Sequence, residues 1–201
     1  MPQVTSPSRE AVLASAIAAF ARKGYAGTSV QDILRATGLS KPTLYYHFGS
    51  KEGLFGAIIE SAYNGAYDAM QPAYAAASSP AEVLAEMAEG LFAYASEHQH
   101  LMRLLFATAF AAPEEIPPRL LRVTRRRRIQ QRVREIIADC QLAGTLTKDY
   151  TADELLQGFF GAVSHQIRTW LLRTEGTLNR KQARRTVSLF LKGASTRKRK
   201  S

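Results

Sequence analysis

Cysteine is nearly absent from this 201-residue chain, and because Cys140 stands alone no internal disulfide can form. The four histidines are scattered with no Cys/His cluster, which leaves no structural zinc site; His98 and His100, two residues apart, diverge on a helix. There is no Gly-rich phosphate loop and no Gly-x-Ser-x-Gly elbow, so no enzyme, cofactor or metal centre is expected. Long apolar runs are missing too. The most apolar stretch, Leu104 to Ala112, is half of what a membrane span needs, and the opening MPQVTSPSRE lacks the apolar segment of a secretory signal. A soluble cytoplasmic protein with no membrane partner is the expectation. What is present is 46% hydrophobic residues, enough for a real core.

Acidic residues are also scarce: 17 Asp and Glu face 27 Lys and Arg, a net charge of +10 that points toward polyanionic partners without naming one. The excess is uneven. Residues 1–55 are mildly basic and residues 56–112 acidic, while residues 113–201 hold 20 of the basic groups.

Apolar periodicity is helical throughout, with no competing run of alternating β-branched residues, and Pro and Gly punctuate it into about nine helices. The first is expected from near Ser6 to Gly24 with Val12, Leu13, Ala16 and Phe20 inward. The second starts at Thr28, read as an N-cap with Gln31 closing a capping box, and ends at Gly38. Ser40 caps a third, with Pro42 tolerated in its first turn, and Ser50 caps a fourth that runs to Pro72. Five further helices are expected over 80–95, 98–111, 118–142, 151–173 and 179–194. The domains follow: residues 1–55, a helix-turn-helix unit; 56–194, a larger helical unit; 195–201, a disordered basic tail.

Two short helices joined through a glycine turn form the arrangement that offers its second helix to the DNA major groove. In Lys41-Pro42-Thr43-Leu44-Tyr45-Tyr46-His47-Phe48, Leu44 and Phe48 turn to the core, leaving a face rich in hydrogen-bonding and aromatic groups. Lys and Thr can bond base edges, while Tyr and His can reach phosphates or thymine methyls.

Three stretches, Gly27-Thr28-Ser29-Val30-Gln31-Asp32-Ile33, Gly38-Leu39-Ser40 with the helix just quoted, and Ser50-Lys51-Glu52-Gly53-Leu54-Phe55, resemble the amino-terminal domain of the TetR family of transcriptional repressors. The resemblance implies an all-α, dimeric, ligand-responsive regulator of a palindromic operator in double-stranded DNA, with a variable carboxy-terminal domain. Carried over by position, it puts Lys41, Pro42, Thr43 and Tyr45 on bases and Thr28, Tyr46, His47 and Lys51 on phosphates. The rival readings are a nonspecific basic nucleic-acid packing protein and a helical adaptor that binds no DNA.

In the eighth helix Leu156, Phe159, Val163, Ile167 and Trp170 form a stripe that flanking residues widen to half the circumference, more than one packing contact uses. The helix is therefore expected to pack on its own domain with one edge and on a second subunit with the other, joined by Val187, Phe190 and Leu191 of the ninth helix in the homodimer interface; a fully buried central helix of a monomer is the alternative. For a small-molecule effector the candidate pocket residues are Tyr63, Tyr67, Met70, Tyr74, Phe92, Met102, Phe106 and Phe110, which core packing alone would also explain. In the seventh helix Ile129, Val133, Ile136 and Cys140 align, and projecting the stripe backward meets Arg122, Arg125 and Arg126. Arginines snorkelling to solvent, a pocket for an acidic effector that includes Arg122 and Arg126, and a basic dimer edge all stay open.

Overall fold

The computed structural model describes residues 9–73, 79–111, 117, 124–173 and 176–195. Among these every regular element is a helix: α1 (Arg9–Lys23), α2 (Val30–Thr37), α3 (Lys41–Phe48), α4 (Lys51–Met70), α5 (Pro80–Glu97), α6 (Gln99–Phe110), α7 (Thr124–Leu142), α8 (Ala152–Leu172) and α9 (Arg180–Gly193). The expected starts of the first and seventh helices, the Ala/Ser-rich stretch before Ser79 and the tail beyond Ser195 lie outside the described residues. None of the described helices is long and apolar enough to cross a membrane, and no described cluster of His, Cys, Asp or Glu could hold a metal ion.

Two compact units emerge, one from residues 1–63 with 99–123 and one from 64–98 with 124–201. In the first, α1 packs on α2 and α6. The expected inward stripe of α1 is buried at Val12, Leu13, Ala16 and Phe20, as are Ile33 of α2, Leu44 of α3 and Leu54, Phe55, Ile58 and Ile59 of α4. Phe20 lies edge-on to Phe55, ring centroids 4.9 Å apart, and Tyr25 tilts against Phe55 at the same separation. Truncating a buried phenylalanine of this kind costs ~3–5 kcal/mol.

In the second unit α5 is central and contacts α7, α8 and α9. Leu84, Met87, Ala88 and Phe92 of α5, Ile129, Val133, Ile137 and Cys140 of α7 and Leu155, Phe159 and Val163 of α8 are all buried and form the unit's apolar core. Burial, helped by Asp139, pushes the Cys140 thiol up to about 11. A charged seam closes the outer side of the α5–α9 contact: Arg184 Nη2 donates to Glu82 Oε1 at 2.6 Å, and Arg180 Nε pairs with Glu89 Oε2 at 2.8 Å. Arg184 Nε also pairs with Glu89 Oε1, as an ion pair rather than an aligned hydrogen bond.

The loop between α1 and α2 differs from the sequence reading by one residue. Ser29, not Thr28, is the N-cap: its hydroxyl accepts from the Asp32 amide at 3.1 Å, and the Asp32 carboxylate accepts from the Ser29 amide at 3.0 Å, so Asp32 rather than Gln31 closes the box. Thr28 is 1% exposed and donates its hydroxyl inward to the Gly24 carbonyl at 2.6 Å. Its methyl belongs to the core while its oxygen satisfies the frayed end of α1.

Two outcomes are expected. The Ser29 amide and hydroxyl, with Lys23, hold the Asp32 carboxyl well below the usual carboxylate range. Its contribution is therefore present above the unfolded-state pKa and lost as pH falls through the folded one. Asp32→Asn should lower Tm at neutral pH, and the gap to the parent should close on acidification; a gap constant with pH would refute the assignment. Thr28→Val keeps the shape but removes the donor to the part-buried Gly24 carbonyl, so chemical denaturation should show a loss of about 0.5–1.5 kcal/mol.

Candidate nucleic-acid interface

Helix α3 is built from its ends inward. Gly38 closes α2 in the left-handed conformation, φ +69°, and its amide donates to the Leu34 carbonyl at 2.9 Å. Leu39 then turns into the core and Ser40 caps α3, accepting from the Thr43 amide at 3.3 Å. With Leu44 fully buried and Phe48 half-buried on one side, the opposite side of α3 faces solvent.

That side carries Lys41, Pro42, Tyr45, Tyr46 and His47, all exposed, with Thr43 half-exposed. Tyr45 keeps 42% of its surface in solvent and Tyr46 86%, unusual for large aromatic side chains. Within the face the groups support each other: the Lys41 ammonium sits 6.0 Å from the Tyr45 ring centroid, Tyr46 and His47 are edge to face at 5.1 Å, and the Thr43 hydroxyl shares a hydrogen bond of 2.8 Å with Ser40. The arrangement offers donors and flat apolar surface on one short helix, the chemistry that reads base edges and phosphates in a groove.

Two of the expected phosphate ligands sit differently. Thr28 has its side chain buried and its amide turned toward the Tyr25 carbonyl at 3.3 Å, so neither polar group is free for DNA. Lys51, first residue of α4, donates to the Tyr25 and Thr28 carbonyls at 2.8 Å each and lies 4.2 Å from the Tyr25 ring centroid. Desolvation there lowers the Lys51 pKa, and burial, followed by Glu52, raises that of Tyr25. Next to it, a Cβ on Gly53 would collide with the Phe48 carbonyl, so α3 ends directly against the first turn of α4. Nothing in the one-letter pattern distinguishes an inward from an outward lysine at this position.

The residues expected at the dimer face divide by burial within one chain. Leu156, Phe159, Val163, Ile167 and Val187 are buried inside their own unit, against α5, α7 and each other's helix, because α8 has intramolecular neighbours on its most apolar side; Trp170, Phe190 and Leu191 are half-buried. Among the residues that α8 and α9 leave in solvent are two large apolar ones, Leu172, 78% exposed, and Leu189, 75% exposed, beside polar and charged ones such as Gln157, His165, Arg168, Lys181 and Arg185. Of the pocket residues, Tyr63, Met102 and Phe106 belong to the first unit and Tyr67, Met70 and Phe92 to the second. Met70, Phe92 and Met102 are buried and the other three half-buried. Tyr74, Arg122 and the side chains of Phe110, Arg125 and Arg126 lie outside the described residues.

Comparison with known proteins agrees with this geometry. Residues 12–58 match the model of bacterial regulatory proteins of the tetR family, and residues 77–194 match that of the tetracyclin repressor-like C-terminal domain. The chain is 46% identical over 52 residues to the HTH-type transcriptional repressor ComR of Escherichia coli, covering 26% of this chain and 25% of that protein. It is 34% identical over 56 residues to the biofilm operon icaADBC negative transcriptional regulator IcaR of Staphylococcus epidermidis, covering 28% and 30%. The match thus spans no more than three tenths of these relatives' length. Over nearly the whole chain, the structure resembles the TetR family regulator PfmR of Thermus thermophilus, with a TM-score of 0.75, 27% identity, and 96% of this chain and 100% of that one covered. FadR of Bacillus subtilis, solved with stearoyl-CoA, shares the fold at a TM-score of 0.80 and 15% identity over 92% and 99% of the two chains. With models matching both its helix-turn-helix and most of the remaining residues, the chain belongs to the TetR family of bacterial transcriptional regulators.

Proposed function

We propose that the protein is a cytoplasmic repressor that binds a palindromic operator as a homodimer and releases it when a small-molecule effector binds. In this reading residues 1–55 read the DNA, residues 56–194 bind the effector and the second subunit, and no catalytic step is involved. The observation that carries it is the exposed pair Tyr45 and Tyr46 on a helix pinned by buried Leu44. Lys41, Pro42, Thr43 and Tyr45 meet base edges, and Tyr46 and His47 meet flanking phosphates.

Dimerisation through α8 and α9 is supported by the large apolar side chains of Leu172 on α8 and Leu189 on α9 left in solvent, which a second copy would cover. Two recognition helices on a twofold axis then address half-sites about 34–36 Å apart or somewhat more. Helix α4 contains residues of both compact units, from Lys51 to Met70. An effector that prefers one setting of this helix and an operator that prefers another are antagonists, and a difference of ~1–3 kcal/mol suffices for regulation.

Tyr45 and Tyr46 replaced together by alanine should weaken binding to a palindrome selected by the parent by on the order of tenfold or more at fixed salt. Unchanged affinity in the folded double variant would remove α3 from the interface. A parent that prefers no sequence and shows only a steep salt dependence would instead be a packing protein. Leu172→Asp with Leu189→Asp should turn a dimer into a monomer in sedimentation at micromolar concentration, whereas Phe159→Asp should unfold the second unit; a double variant that still sediments as a dimer would locate the contact elsewhere.

A further inference from the structure

The first turn of α4 carries a cation that spends two of its three hydrogen bonds within the chain. An ammonium has three protons. On Lys51 two of the three go to the Tyr25 and Thr28 carbonyls at 2.8 Å, and the group lies over the Tyr25 ring, centroid 4.2 Å away. We propose that Lys51 is a positioning residue that binds the loop between α1 and α2 to the first turn of α4 and so sets the pose of α2 and α3 for DNA, instead of being a phosphate ligand itself; this rests on the DNA-binding reading above.

What Lys51 holds makes the role specific. Tyr25 rests on Phe55 and Thr28 is sealed in the core, and the next residue, Ser29, is the N-cap that starts α2. Two residues along α4, Gly53 admits the Phe48 carbonyl at the end of α3. One turn of α4 therefore touches the chain just before the helix-turn-helix begins and just where it ends. Swinging Lys51 out to a phosphate would strip both carbonyls of a charge-assisted donor and uncover the Tyr25 ring. A compact ammonium fits between two carbonyls and a ring face; a planar guanidinium does not, although it binds phosphate at least as well.

This separates two variants. Binding to a palindrome selected by the parent is measured over a range of salt for the parent, Lys51→Arg and Lys51→Gln, with folding followed by circular dichroism. A positioning role requires both variants to bind on the order of tenfold more weakly in the folded state, with salt slopes parallel to the parent's. A phosphate ligand would leave Lys51→Arg near parental affinity and make the slope of Lys51→Gln shallower by ~0.9 per lost contact, which overturns the proposal. A lower Tm with unchanged affinity also overturns it, since the lysine would then only stabilise. If the parent selects no palindrome the DNA reading fails separately, and the contact is judged by amide exchange over residues 25–30. Exchange accelerated on the order of tenfold in Lys51→Arg supports the loop attachment, and parental exchange refutes it.

Discussion

Leu44 has no surface in solvent, and the functional side of the amino-terminal unit depends on that burial. An eight-residue helix is too short to persist in water by its own hydrogen bonds, because nucleation costs more than so few residues return. Tertiary anchoring at Leu39 and Leu44, with the Ser40 cap and Pro42 in the first turn, supplies what propensity does not. Once Leu44 is fixed, the helical period dictates that Lys41, Tyr45 and Tyr46 point away. The aromatic groups are in solvent because one leucine is not.

The charge distribution takes on a different sense once partners are visible. The formal surplus lies in residues 113–201, away from α3. Part of it is offset from outside the segment, Arg180 and Arg184 by Glu82 and Glu89, while Arg132 with Glu135 and Arg134 with Asp153 are paired within it. The exposed pairs Arg132–Glu135 and Arg134–Asp153 contribute little to stability, about 0–1 kcal/mol each. They do lower the positive potential that the second unit presents to passing polyanions, and this favours a reading head that recognises shape and base edges over a molecule that clings to any phosphate.

The fold was legible in the sequence because its signals are local: helical apolar spacing, Ser40, Ser79, Thr151 and Asn179 before helix starts, and glycines after helix ends. Less legible was anything that depends on which neighbour arrives. Thr28-x-x-Gln31 and Ser29-x-x-Asp32 both satisfy the capping pattern, and the choice falls to Ser29 because the Thr28 methyl is drawn into the core. The broad apolar belt of α8 reads equally as a dimer face or as a surface shared by several helices of one chain, and α5, α7 and α9 occupy its strongest stripe. Lys51 obeys the same rule, since its direction is set by two carbonyls that are 23 and 26 residues away in sequence.

The solitary thiol of Cys140 lies in the core of the second unit, fully shielded, with its acidity suppressed to about 11 by burial. Thiol reagents attack the thiolate and need contact with sulfur, so in the native molecule both routes are closed. Every alkylation event must then pass through an opening of the α5–α7–α8 core. Because no other cysteine competes, the labelling rate of this one atom is a clock for opening of the second unit alone, blind to fraying of the helices that hold α3.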